Sequence, residues 1–128
     1  MCIYRNLLCG LAVWAMVAGS FPGLAQQNRE VSIDGLIYDL AHPDGDRRKA
    51  AAKVLGQHKA ARAVPGLIEL TEDPDGLIRM VALRALVGIN DPSALDTYVR
   101  LTHDSREEVQ EKAIEGIINV YIVETGGF

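Results

Sequence analysis

The sequence predicts an all-α protein, an α-solenoid of about three helical hairpins preceded by a signal peptide. Two observations predict this architecture. Similar residues recur every 31 positions, without a gap, from about residue 28 to residue 120. Before that repeat begins, a run of 12 uncharged, mostly apolar residues is followed by glycine, serine and proline.

The first 25 residues are predicted to be a cleaved signal peptide. Arg5 precedes the apolar run 7–18, and small residues close the segment at Ala25. This order is typical of secretion signals, so we expect a mature domain of residues 26–128. A retained membrane anchor is the alternative, but Pro22 interrupts the apolar segment and a spanning helix needs ~20 apolar residues. We therefore expect the domain in the periplasm or outside the cell, without membrane contact after cleavage.

Composition narrows the possible partners and chemistry. The chain carries 13 Lys and Arg against 17 Asp and Glu, a net charge of −4, whereas nucleic-acid-binding domains are usually basic. No nucleic-acid partner is therefore expected. Both cysteines, Cys2 and Cys9, lie in the predicted signal peptide, so we expect a mature domain with neither a disulfide nor a thiol nucleophile.

Each repeat reads as two helices joined by a turn rich in Asp, Pro and Gly. His-Pro-Asp-Gly at 42–45 aligns with Asp-Pro-Asp-Gly at 73–76. Within the second helices, apolar residues recur at i, i+3, i+4 and i+7, the spacing of one helix face. Small residues at Ala51, Ala82 and Ala113 would let neighbouring helices approach closely, and stacked units can bury apolar faces that one hairpin cannot. The units are placed at approximately 31–59, 62–90 and 93–123.

Polar residues mark where several of these helices begin. Asp44 and Asp75 precede the second helices of units one and two, and aspartate is a favourable N-cap. Asp91 has the same position ahead of the first helix of unit three. Ser105 and Glu108 have the spacing of a capping box before the last helix.

The second unit carries the most regular version of the pattern. Its turn and helix read Asp-Pro-Asp-x-x-Ile-Arg-x-x-Ala-x-x-Ala-Leu over 73–86, with Ala-Val-Pro-Gly-Leu-Ile-Glu-Leu before it at 63–70. This pattern resembles the HEAT repeat, and more narrowly the short type of ~30 residues named for the phycobilisome lyases. The resemblance covers nearly all of the predicted mature domain and implies an α-solenoid.

In HEAT repeats, an Asp in the turn and an Arg six residues later form a ladder between neighbouring units. The resemblance implies this structural role for Asp73 and Arg79, and for Arg48 at the matching position of unit one. His42 replaces the aspartate in unit one and Gln110 replaces the arginine in unit three. We therefore expect a ladder that is incomplete at both ends.

The resemblance also implies that the second helices line a concave surface, where outward positions form columns across the units. The two outward residues of one unit are four apart and share a face. The columns would run from basic in unit one to acidic in unit three, which suits an extended protein segment oriented by charge. A chance gradient is the alternative. The predicted binding residues are Lys49, Met80 and Glu111 in one column and Lys53, Arg84 and Glu115 in the next.

The last predicted helix carries an additional apolar stripe. Ile114, Ile118 and Tyr121 follow the spacing i, i+4 and i+7, although the end units of solenoids normally present a polar outer face. We predict that this stripe contacts a partner protein or a second copy, as in a homodimer. The alternative is that the tail folds back and Phe128 covers the stripe.

These features predict an exported helical-repeat scaffold that binds another, unidentified protein through its concave face or its C-terminal apolar end. No catalysis of its own and no cofactor are predicted. A metal site is not expected, because the three histidines lack the spacing of a ligand set. A relative of the di-iron hydroxylases built on HEAT repeats would show His-Glu pairs, which the sequence lacks. The alternative is a lyase-like or other enzyme accessory subunit that acts on a partner protein or a chromophore.

Overall fold

The computed structural model describes residues 30–126, and its helices belong to one compact unit that begins at Ser32. The predicted signal peptide and Phe128 lie outside this range. Within it, the predicted all-α fold class is confirmed, since every regular element is helical. The α-helices are α1 (Ile33–Asp39), α2 (Gly45–Gln57), α3 (Val64–Leu70), α4 (Gly76–Ile89), α5 (Leu95–Leu101) and α6 (Glu107–Glu124). Short 3₁₀ helices at Ala61–Ala63 and Pro92–Ala94 lead into α3 and α5.

The six helices form three hairpins in two layers. The longer helices α2, α4 and α6 pack side by side, and each of the shorter helices α1, α3 and α5 packs on the long helix that follows it. Two layers around one apolar core are the usual way for amphipathic helices to bury their faces. Among residues 30–126, no helix is both long and apolar enough to cross a membrane.

Aspartates cap two of the long helices, as the sequence predicts. Oδ1 of Asp44 accepts the backbone N–H of Asp46 at 2.9 Å, and Oδ1 of Asp75 accepts that of Leu77 at 2.8 Å. Asp91 caps the short 3₁₀ helix before α5 in the same way. Each carboxylate satisfies one of the amide groups that have no partner inside the helix.

The capping box predicted for α6 is wrong. Ser105 accepts a hydrogen bond from Arg79 instead of capping the helix, and Glu108 pairs with the Arg106 side chain. The carboxylate of Asp104 accepts the Arg106 N–H at 2.9 Å, which is a bond within the turn. The N-cap residue is Arg106 and no side chain caps the helix, because the serine lies one position before the N-cap.

Small residues set how closely the long helices approach. Ala51, Ala82 and Ala113, at equivalent positions, are all buried. Gly56 of α2 lies against Ala85 of α4 so closely that a Cβ on the glycine would be 2.7 Å from the alanine Cα. The repeated alanine and glycine positions are therefore the points where one unit stacks on the next.

Unit three replaces two core residues together. Tyr98 occupies the position of Leu67, and Gly116 occupies the position of Ala85. The tyrosine ring lies against the glycine, where a Cβ would meet ring carbons at 3.0–3.1 Å. The larger side chain on α5 is thus accommodated by the missing side chain on α6.

Candidate functional site

Two arginines at equivalent positions of α2 and α4 join neighbouring units. Nε of Arg48 donates to Oδ2 of Asp73 at 2.9 Å, and Nη2 forms an ion pair with the same oxygen at 2.9 Å. Its Nη1 atom donates to the carbonyl oxygens of His42 and Pro43, at 2.8 and 2.9 Å. One guanidinium therefore ties the turn of its own unit to the turn of the next.

Arg79 repeats this arrangement one unit later. Its Nε and Nη2 atoms donate to the two carboxylate oxygens of Asp104, at 2.9 and 3.1 Å. Its Nη1 atom donates to the backbone carbonyl of Asp73 at 2.9 Å. The hydrogen bond from Arg79 lowers the pKa of the Asp104 carboxyl, and the same bond raises the pKa of Arg79. Bidentate charge-assisted pairs of this kind are among the stronger polar contacts in proteins.

Each rung of this ladder joins an arginine to the aspartate 25 residues later, in the following unit. The motif pair Asp73 and Arg79 thus serves two different rungs. His42 accepts the backbone N–H two residues later, as Asp73 does in unit two. Gln110 donates to the carbonyl of Asp104, as the arginines do in their own turns. His42 and Gln110 thus keep the hydrogen bond within the turn, but neither supplies the charge of the residue that it replaces.

A groove between α2 and α4 forms the basic end of the predicted binding surface. It encloses about 670 Å³ and has an apolar floor of small residues and one valine. Lys49 and Lys53 from α2 and Arg84 from α4 stand along it. We call this depression the basic groove. Its lining residues are Asp46, Lys49, Ala50, Lys53, Gly56, Gln57, Val81, Arg84 and Ala85.

The three cations of the basic groove differ in their partners. Lys49 donates to Asp46 at 2.9 Å, and this hydrogen bond lowers the pKa of Asp46 and raises the pKa of Lys49. Lys53 and Arg84 are exposed and form no ion pair with any residue of the 30–126 region. These two side chains are therefore the ones available to an incoming anionic group.

Met80 does not belong to this surface, so its prediction as a binding residue is wrong. The side chain is only 9% exposed and is part of the core. The helix α4 lies between α2 and α6, and its neighbours cover a long side chain at this position. The end helices present Lys49 and Glu111 at the matching positions, with less cover.

The acidic end of the predicted surface lies on α6. Glu111 and Glu115 are both exposed, and Glu115 accepts a hydrogen bond from Lys112. Sequence reasoning missed Lys112 here and Asp46 at the basic end. Each pairs with a residue three positions away on its own helix, and that spacing is the signal that could have found them.

The apolar residues predicted on the last helix lie on one side of α6. Ile114, Ile118 and Tyr121 are 49, 50 and 55% exposed. Ile122, which sequence reasoning missed, is 54% exposed and extends the same side, four residues after Ile118. We call these four residues the α6 stripe. Phe128, the predicted cover for it, lies outside the described residues.

The histidines of the described region lie in or next to turns. His42 and His103 each hydrogen-bond to a residue of their own turn. Over residues 30–126, no group of three or more His, Cys, Asp or Glu side chains is placed to hold a metal ion.

A family model describing HEAT repeats matches residues 33–118. The chain belongs to the HEAT-repeat family. The resemblance inferred from the Asp-Pro-Asp turn and the arginine that follows it is thereby confirmed. No curated protein matches the sequence of this HEAT-repeat protein.

A solved structure shares the fold. Human deoxyhypusine hydroxylase, in complex with glycerol, superimposes with a TM-score of 0.63 and is 25% identical in sequence. The match covers 75% of this chain and 34% of that one, so this HEAT-repeat protein spans about a third of the length of the hydroxylase.

The prediction that the chain has no catalysis of its own is contradicted by this comparison. The protein with the similar fold is an enzyme, so the fold gives no ground for excluding catalysis. The sequence argument depended on the absence of short motifs. Such motifs do not report on residues that a solenoid brings together from different repeats.

Proposed function

We propose that this HEAT-repeat protein is an exported scaffold that binds an extended segment of another protein along α2, α4 and α6. The observation that carries the proposal is the basic groove, where an apolar floor lies beside the exposed cations Lys53 and Arg84. Glu111 and Glu115 on α6 supply the opposite charge at the far end. A surface with apolar contact area and separated charges suits a segment that must bind in one direction.

The dimensions favour a short, extended ligand. Packed helices are ~8–10 Å apart, so the path from α2 to α6 is ~20 Å. An extended chain advances ~3.3 Å per residue, so ~6 residues would cross the surface. Acidic side chains would lie over α2 and α4, and basic side chains would lie over α6.

The proposal of export has a separate basis. It is supported by the order of charge, apolar run and small residues over positions 1–25. Expression of the full chain in a bacterial host, followed by intact-mass measurement of the product from each compartment, tests it. A periplasmic product that begins at Gln26 supports export, and an uncleaved cytoplasmic product contradicts it.

Peptide binding tests the scaffold proposal. A fluorescent peptide with two glutamates at one end and two lysines at the other, separated by apolar residues, would be titrated with the protein and followed by anisotropy. Replacing both Lys53→Glu and Arg84→Glu should weaken binding more than ~10-fold, because the acidic end of the peptide would then meet like charge.

The control variant is Arg62→Glu, which makes the same type of change at an exposed cation outside the basic groove. It should bind like the unmodified protein. Equal affinity for all three proteins, or equal loss in the control, would reject the groove as the binding surface.

A further inference from the structure

Two residues of the α6 stripe, Ile114 and Ile118, occupy positions that both earlier units use for stacking. At a spacing of 31, Ile114 matches Leu83 of α4 and Ala52 of α2, and both of these residues are fully buried. Ile118 matches Val87 and Gly56. The residue types are apolar or small in all three units, whereas the burial differs.

Contacts show which way these positions face. In α2, Gly56 lies against Ala85 of the following unit, and Arg48 of the same helix reaches Asp73. In α4, Arg79 reaches Asp104 of unit three. The side of each long helix that carries the stripe positions therefore faces the next unit. In α6 the same side is covered by no other described residue to a comparable extent.

We infer that the α6 stripe is the contact surface between two copies of this chain, packed with their α6 helices antiparallel. The inference rests on continuity with the stacking interfaces inside the protein, and it is independent of the proposed function. A C2 contact of this kind is self-complementary and closes after two copies.

A further HEAT unit is a poorer occupant than a second copy. Gln110 stands where Arg48 and Arg79 stand in the earlier units, so it cannot supply the charge of another rung. Two facing helices with apolar side chains between them need no rung.

Charge favours the antiparallel arrangement. In a contact centred on Ile118, each Ile114 faces the Ile122 of the other copy, and the two Ile118 side chains meet. Glu111 lies seven residues before the centre. At 1.5 Å per residue, the two Glu111 side chains would be ~21 Å apart, whereas a parallel contact would place them opposite each other.

Sedimentation velocity on the purified full chain, in the processed form that intact mass identifies, tests the inference. The unmodified chain should be a dimer at micromolar concentration. Ile118→Asp should shift it to monomer, with dimerisation weakened more than ~10-fold, because two carboxylates would face each other in an apolar contact. The matched control is Val99→Asp, an equally exposed apolar position on α5, which should leave the dimer intact.

A disulfide test does not depend on disrupting the contact. In a chain with Cys2→Ser and Cys9→Ser, Ile118→Cys should form a disulfide-linked dimer on mild oxidation, and Val99→Cys should not. A monomeric unmodified chain, a dimer that survives Ile118→Asp, or equal cross-linking at both cysteines would overturn the inference. None of these outcomes changes the peptide-binding comparison of Lys53→Glu and Arg84→Glu, so failure of one proposal is distinguishable from failure of the other.

Discussion

The corresponding sides of α4 and α6 carry similar apolar residues in the same register, but only the side of α4 is covered. Leu83 of α4 is fully buried, and Ile114 at the equivalent position of α6 is half exposed. The ladder differs in the same way: Arg79 forms a rung with Asp104, and Gln110 keeps only its bond within the turn. The repeat thus fixes which side of a helix is apolar, and the position in the stack decides whether that side stabilises the fold or is available to another molecule.

The largest difference between the two sides should appear when each is truncated. Leu83→Ala should lower the free energy of unfolding by about 3 kcal/mol, because it leaves a cavity between α4 and α6. Ile114→Ala should cost less than about 1 kcal/mol, because its side chain is half exposed. Urea unfolding followed by circular dichroism measures both. The Ile118→Asp background keeps self-association out of the comparison, and equal losses would show that α6 is covered within one chain.

The ladder gives the next largest effect. Arg79→Gln introduces the residue that unit three has, and should lower the free energy of unfolding by about 2 kcal/mol, because the buried Asp104 carboxylate loses its charged partner. Arg100→Gln removes a more exposed pair with Glu72 and should cost less than about 1 kcal/mol. If both variants lower the free energy of unfolding equally, the rung stabilises the fold no more than an exposed ion pair does.

The pH dependence of the same variant sharpens this test. The pKa of Asp104 is lowered in the folded protein, so the contribution of the rung is complete above the ordinary aspartate range and is lost as the pH falls through the lowered value. The stability gap between the unmodified chain and Arg79→Gln should therefore be constant near neutrality and shrink below about pH 4. A gap that is unchanged at pH 2 would mean that charge is not its cause.

Substitution of two glycines, one on α2 and one on α4, distinguishes the effect of close helix approach on stability from the effect of helix propensity. Gly56→Ala should lower the free energy of unfolding by about 1.5 kcal/mol, because the new Cβ would be 2.7 Å from the Cα of Ala85. Gly88→Ala should raise it by about 0.5 kcal/mol, because a Cβ there has its nearest neighbour at 3.8 Å and alanine favours the helix. Thermal unfolding of both variants checks the sign, and two changes of the same sign would contradict the stacking geometry.

The periodic part of this protein could be predicted from the sequence. The hairpins and the aspartate caps follow from local spacing, because helix periodicity and capping act over a few residues. The cover over Met80 and the identity of each rung could not be predicted in this way. They depend on which helix lies beside which, and Arg48 reaches an aspartate 25 residues away rather than one in its own turn.

In the candidate site, the predicted residues follow the repeat, and the missed residues are their neighbours on the same helix. Lys53, Arg84 and Glu115 could be named from the 31-residue register, and the structure places all three on exposed parts of the long helices. The partners Asp46 and Lys112 were missed because a column across units ignores neighbours on the same helix. Export concerns residues outside the described range, and it stays a prediction.

The last prediction concerns Tyr98, the residue that distinguishes the core of unit three. Its side chain is fully buried, and its hydroxyl has no hydrogen-bond partner among the described residues. Burial removes the hydrogen bonds of a hydroxyl to water, and without a protein partner no new hydrogen bond compensates for that loss. Tyr98→Phe should therefore raise the free energy of unfolding by about 1 kcal/mol at neutral pH, since it removes that group and keeps the ring against Gly116.

The dependence of stability on alkaline pH distinguishes removal of the unpaired hydroxyl from a change in packing. Burial, with a smaller contribution from the charge of Asp91, raises the pKa of Tyr98 to about 12. The unfolded chain ionises near the ordinary tyrosine pKa of about 10, so the folded state holds its proton longer and loses stability as the pH rises from about 10 to about 12. The unmodified chain should lose about 2 kcal/mol more than Tyr98→Phe over that interval. Tyr121→Phe, which removes an exposed hydroxyl, is the control. If the unmodified chain and Tyr98→Phe lose the same stability over that pH interval, the hydroxyl of Tyr98 reaches water. The space left beside Gly116 would then not bury that hydroxyl.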